Sequence, residues 1–200
     1  MSRPAAVLAD LLMAVMDSVT TWQRAAGEPA RGLAWRDAVT ERIVESERYE
    51  PYDALVADVA AQLGLADSVD RLWREWRVME PRPDALALGA LDVPLGFVTN
   101  TSTRLAAIAA ERSGLDPVLV LAAEDAGRYK PHPSVYALAC HSMGTRPADT
   151  VFVAGAPYDA DGAHAAGLRT VLVRRRPDLA GNSGAWSSVA SLAELNAVLR

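Results

Sequence analysis

Three apolar runs, each halted by a polar residue, constrain this chain more than any other feature. A-A-V-L-A over 5–9 stops at Asp10, L-G-F-V stops at Thr99-Asn100, and V-F-V-A-G-A-P-Y stops at Asp159. Short runs of this kind, bounded by turn residues, read as buried strands of a parallel sheet. In such a sheet ligands bind at the carboxyl ends of the strands, where these polar residues would stand.

Periodicity supplies the rest of the architecture. From Asp17 to about Met79 the pattern is helical, with apolar residues three and four apart, as at Leu55, Val59 and Leu63. Stretches 36–46, 52–63 and 69–78 are predicted helices, and Glu80-Pro81-Arg82-Pro83 ends the block. Beyond it strands are predicted at 94–99, 118–122, 150–154 and 169–173. Helices are predicted near 102–113, 133–143, 159–166 and 189–199, with Gly114 and Gly167 at helix ends. Strand–helix alternation implies an α/β fold, a Rossmann-like parallel sheet with helices on both faces. The helical block after the first strand reads as an inserted cap. The expected division is 1–16 and 82–200 for the core and 17–81 for the cap.

Composition narrows the function classes. Half of the 200 residues are apolar and 22% are charged, which suits a globular core. A formal net charge of −5 argues against a nucleic-acid partner, which would call for a basic stripe. The run Arg174-Arg175-Arg176 is expected to be a solvated strand exit. Cys140, the single cysteine, excludes an internal disulfide and is expected as buried filler. Ala5 to Met16 is apolar except for Asp10, but is too short to span a bilayer. A signal peptide would hardly carry that central aspartate. No membrane partner and a cytoplasmic location are therefore expected.

The candidate site residues each have a plainer alternative. Asp10 is either a strand-end nucleophile or the wet face of a helix over 5–16. Thr99 and Asn100 either bind an anion or simply make a strand-to-loop turn. Lys130 lies in G-R-Y-K-P-H-P-S-V-Y, where the following proline holds it outside the next helix so that its ammonium can reach back over the sheet edge. The alternative is a surface lysine. Asp159 is the second strand-end carboxylate, and Asp161 beside it suits a helix N-cap. His132, His141 and His164 have no partners at ligand spacing, so no metal is assigned to them.

Together these fragments resemble the haloacid dehalogenase (HAD) superfamily, closest in wording to its type II 2-haloacid dehalogenases. The resemblance rests on the aspartate after the first strand, Thr99-Asn100, K-P-x-P-x-x-Y at Lys130, and Asp159 followed in register by Gly162, Ala163 and Gly167. W-R near 35 and E-R-Y-E-P-Y-D-A-L are similar to type II cap helices. The resemblance implies that Asp10 attacks a small anionic substrate to form an aspartyl ester. Thr99 and Asn100 would hold the substrate carboxylate, Lys130 would neutralise it, and Asp159 would orient the lysine or assist the water. It further implies no cofactor, a leaving-group pocket drawn from the cap, and a possible homodimer, for which Trp73 and Trp76 are either surface residues or part of the core. Arg24, Arg31 and Arg36 are equal candidates for the leaving-group pocket.

The chain departs from the family at several positions. Leu12, Met13 and Ala14 replace a tyrosine and a Gly-Thr turn, Ala154 and Ala156 replace a serine and an asparagine, and Tyr158 replaces a tryptophan. Losing one positioned polar donor typically costs about 10²–10³ in rate. Two further readings therefore stay open: a HAD fold kept for binding, and a Mg²⁺-dependent phosphatase. The latter needs an acidic residue near Ala156, with Asp159 or Asp161 the nearest.

Overall fold

The computed structural model describes residues 3–176, 178 and 183–199. Its centre is a six-stranded sheet in the order β3-β2-β1-β4-β5-β6, parallel at every pairing. The strands are β1 (Ala6–Asp10), β2 (Leu95–Thr99), β3 (Leu119–Ala122), β4 (Thr150–Ala154), β5 (Arg169–Val173) and β6 (Ser187–Val189). The first segment is thus a strand, buried along its whole length, and not a helix over 5–16. Burial on both faces explains its unbroken apolar run.

Alternate residues feed two cores. Leu8, Val98, Phe152 and Leu172 pack with α7 (Pro133–Ser142) and α8 (Pro157–Ala165). Val7, Phe97, Val151 and Val171 face the opposite side, with α5 (Thr103–Arg112) and α9 (Leu195–Val198). Between β3 and α7 comes the single turn α6 (Ala123–Ala126). Cys140 is buried in the first of these cores, where burial pushes its thiol pKa up.

Four helices lie between β1 and β2: α1 (Ser18–Ala26), α2 (Pro29–Glu45), α3 (Tyr52–Gln62) and α4 (Val69–Arg77). Asp17 caps α1, Gly27 ends it at φ 76°, and Pro29 opens α2. The two connecting strands of chain run side by side. Met16 and Pro81 form an antiparallel bridge, flanked by Asp17 N–H to Glu80 O at 2.9 Å and Arg82 N–H to Val15 O at 2.8 Å. Within the inserted layer Trp22 and Trp35 meet edge to face at 4.8 Å. Trp76 is fully buried and its indole N–H donates to Leu105 O on α5 at 3.1 Å. That contact takes Trp76 off the list of surface residues for a dimer; Trp73 is only partly buried. Among the described residues no helix is long and apolar enough to cross a membrane.

Two expectations are corrected near the C-terminus. The predicted helix over 189–199 begins instead as β6, pairing Val171 with Ser187 and Val173 with Val189, and only Leu195–Val198 is α-helical. Edge pairing outweighs helical periodicity there. The arginine triplet is not a solvated exit either. Only Arg174 is exposed; Arg175 binds Asp84 through two hydrogen bonds at 2.7 and 3.0 Å, and Arg176 binds Asp37 at 2.6 Å.

Candidate active site

Strand order reverses at β1, which has β2 on one side and β4 on the other. Asp10 ends β1, and Asp159 lies in the first turn of the helix after β4, so the two carboxylates meet at the switch point of the sheet. After Asp10 the chain makes a five-residue π-helical turn over Leu11–Val15, closed by Met16 N–H to Leu11 O at 2.9 Å. The Asp10 carboxylate stabilises the start of this turn by accepting from Met13 N at 2.9 Å. A turn of this kind replaces the glycine turn of the resembled motif. It packs so closely on Gly155 that a Cβ there would strike Met13 and the Ala14 amide.

Lys130 connects the two carboxylates. Its Nζ donates to Asp10 Oδ1 at 2.9 Å, to Asp159 Oδ2 at 2.6 Å and to Val98 O at 3.2 Å. All three ammonium hydrogens therefore have acceptors. The residue is fully buried and 5.3 Å from the Phe152 ring centroid. Burial alone would lower the lysine pKa, but Asp10 and Asp159 overcome it and hold the group cationic. Asp159 stands on the other side of that balance. Burial lifts its pKa to about 6 against the pull of Lys130, and the Asp10 charge adds to the rise. Tyr136, the tyrosine of the K-P-x-P-x-x-Y string, donates its hydroxyl to Asp159 Oδ1 at 2.6 Å. Gly162 permits this approach, since a Cβ there would collide with Pro131 and the Tyr136 hydroxyl.

Asn100 acts on the same lysine through the backbone. Its Oδ1 accepts from Lys130 N–H at 2.7 Å and its Nδ2 donates to Lys130 O at 2.9 Å. Both amide atoms thus clamp the peptide that carries Lys130. Thr99 is fully buried and, among the described residues, its hydroxyl has no hydrogen-bond partner, and the same holds for Thr101. A buried hydroxyl left unpaired costs about 1–3 kcal/mol, so each is primed to receive a polar partner.

Asp10, Thr99 and Asn100 border a cavity of ≈ 40 Å³ whose roof comes from the inserted helices. Of the three candidate arginines, only Arg36 lines it. Arg24 is exposed, and Arg31 donates outward to Gly64 O at 3.1 Å. The Arg36 guanidinium is almost fully buried, bonded through Nη1 to Asp37 Oδ1 at 2.9 Å and through Nη2 to Met13 Sδ at 2.5 Å. Ser18, whose buried hydroxyl also has no partner among the described residues, and Tyr158 add to its polar surface. Larger clefts of ≈ 300 and ≈ 480 Å³ exist elsewhere, but neither includes Asp10, Lys130 or Asp159.

All five residues singled out in sequence thus gather at one sheet edge. Tyr136, Tyr158 and Ser18 are additions, and Arg36 is singled out from the three candidate arginines. Tyr136 had a signal in the lysine motif itself, whereas Arg36 could not be told from two neighbours by spacing. His132 caps α7 by accepting from Ser134 N at 3.3 Å. The place a cation would take between the carboxylates is filled by the Lys130 ammonium. Among the described residues no group of three His, Cys, Asp or Glu side chains is disposed to hold a metal ion.

Comparison with known proteins gives the family of the fold. Residues 7–167 match the family of haloacid dehalogenase-like hydrolases. An (S)-2-haloacid dehalogenase 4A of Burkholderia cepacia is 31% identical over 113 residues, covering 54% of this chain and 49% of that protein. An (S)-2-haloacid dehalogenase 1 of a Pseudomonas species is 32% identical over 116 residues, 54% of this chain and 51% of that protein. The matches span about half the length of these curated relatives. The crystal structure of the L-2-haloacid dehalogenase PA0810 superposes with a TM-score of 0.81 at 26% identity, over 98% of this chain and 100% of that one.

Proposed function

Because the chain belongs to the haloacid dehalogenase-like hydrolase family, we propose that it hydrolyses short 2-haloacids through an ester on Asp10, with the inserted helices acting as its cap. The observation that carries this reading is the buried Asp10–Lys130–Asp159 cluster, whose Asp10 borders a small cavity lined also by Arg36. Asp10 attacks C2 of the substrate in line, the carbon–halogen bond breaks, and the electron pair leaves with the halide. Each Asp10 oxygen accepts one protein hydrogen bond and keeps a further lone pair for the attack. Arg36 is the cation that receives the halide. The Thr99 hydroxyl binds the substrate carboxylate, Asn100 fixes the peptide of Lys130, and Lys130 offsets the negative charge.

In the second half water adds to the Asp10 carbonyl carbon and Asp159 accepts its proton, as a carboxylate held near pH 6 can. The ester C–O bond to the acid then breaks, and the 2-hydroxyacid leaves with a proton. Lys130 supplies the cation between the carboxylates, so the proposal includes no metal. The apolar replacements fit the same reading. Arg175 clamps Ala14 O at 2.8 and 3.2 Å, holding the turn after Asp10 without glycine or threonine.

The test is halide release from (S)-2-chloro- and (S)-2-bromopropionate, with and without EDTA, beside Asp10→Asn. Release that survives EDTA and disappears in the variant is expected. Turnover in H₂¹⁸O should place the label in the Asp10 carboxylate. Release without that label would overturn the ester, and no release at all would overturn the substrate class.

A further inference from the structure

Arg36 lies at the cap side of the cavity, but what holds it there comes from the core. Its neighbour Asp37 receives Arg36 Nη1 on Oδ1 at 2.9 Å, and the same oxygen accepts Arg176 Nη1 at 2.6 Å. Arg176 Nη2 adds a second bond, to Asp37 Oδ2 at 3.1 Å, and the guanidinium also pairs with Asp178. Arg176 follows the exit of β5, whereas Arg36 and Asp37 belong to α2, so the chain of bonds crosses from core to cap.

The bonds have directional consequences. Adjacent residues on a helix point about 100° apart, so a lone Asp37 would not fix the Arg36 plane. A carboxylate gripped by a planar two-bond fork is fixed. Arg176 also shares the negative charge of Asp37. Without it, Asp37 would draw more strongly on Arg36, turning the guanidinium away from the cavity and cancelling more of its charge. The side chains of Arg36 and Arg176 are 9% and 10% exposed, against 42% for Asp37. An ion pair with so open a carboxylate contributes little to stability. Its value lies in orientation.

We propose that Asp37 and Arg176 are positioning residues for Arg36, completing the leaving-group site only when the cap is seated on the core. The inference rests on Arg36 being the halide acceptor. It is tested with Arg176→Gln, Arg176→Lys and Asp37→Asn, using 2-chloro- and 2-bromopropionate and, separately, bromide binding followed by ⁸¹Br NMR line width. In Arg176→Gln, kcat for the chloro acid should fall about 10-fold, less than the roughly 10²–10³ of a donor that itself touches the reacting atoms, because Arg36 remains. The bromo acid, with the better leaving group, should lose less, so the chloro-to-bromo ratio drops. KM and melting temperature should hardly move. Arg176→Lys should recover part of the loss, and Asp37→Asn should follow Arg176→Gln. An unchanged ratio in variants of an active enzyme would overturn the inference and leave the dehalogenase reading standing. If the wild type releases no halide, that reading fails by itself, and bromide binding then decides. Weaker binding in Arg176→Gln would support positioning of an anion site, and equal binding would overturn it.

Discussion

Lys130 shows how much one residue can carry at the scale of single side chains. A fully buried ammonium survives because two carboxylates and a carbonyl surround it, and the carboxylates in turn depend on it. Lys130→Met keeps the volume but leaves two buried like charges facing each other. Breaking a buried pair by removing one partner costs about 3–5 kcal/mol. Urea denaturation should show a loss of that size, and halide release should disappear.

Asp159 makes a second claim at this scale. Its pKa is raised to about 6 by burial, above the usual carboxylate value of about 3.9. As the base for water it must be ionised, so activity should rise with pH through about 6. Stability moves the other way. A raised folded pKa contributes stability below the unfolded pKa, and that contribution is lost as pH rises through about 6. The stability of the wild type relative to Asp159→Asn should therefore decrease from pH 4 to pH 6. A flat pH–rate profile across that window would remove Asp159 as the base.

At the scale of elements, the turn after β1 departs from the glycine turn of the motif that the sequence resembles. The π-helical turn over Leu11–Val15 needs no glycine of its own, because Gly155 makes room for it and Arg175 holds its end. Arg175 is anchored by Asp84, whose carboxyl is kept near pH 2 despite partial burial by Arg175, the Leu192 amide and Ser191. Arg175→Gln should release Ala14 O and loosen Asp10. We expect about 1–3 kcal/mol lower stability from the unpaired groups and a fall in kcat larger than any change in KM, measured by denaturation and steady-state kinetics. Of the arginine triplet expected as a solvated strand exit, Arg175 and Arg176 are thus tertiary ties.

At the scale of the molecule, the four helices between β1 and β2 are joined to the sheet and its helices by contacts of different kinds. Trp76 of α4 inserts against α5, the Tyr129 hydroxyl donates to Glu50 O at 2.6 Å, and ion pairs such as Arg104–Asp53 at 2.9 Å lie on the surface. Exposed ion pairs contribute at most about 1 kcal/mol, so the buried indole dominates. Trp76→Leu should cost roughly 3 kcal/mol through lost packing and an unpaired carbonyl. The same denaturation experiment should show that loss with the transition still cooperative.

The sequence by itself determined the parallel sheet and which residues end its strands. A strand buried on both faces must be apolar, and a polar residue can follow only where the strand leaves the core. Asp10, Thr99 and Asn100 were legible for that reason, and Lys130 through the prolines that exclude it from a helix; Asp159, read as ending a strand, stands instead in the first turn of α8, beyond the end of β4 at Ala154. Only the tertiary structure decided who partners whom. It selected Arg36 from three arginines, turned both atoms of the Asn100 amide onto the Lys130 backbone, buried Trp76, and drew residues 187–189 into the sheet. Each of these outcomes depends on segments distant in sequence meeting in space. Local periodicity carries no record of such meetings, because the energy that decides them is shared between both partners.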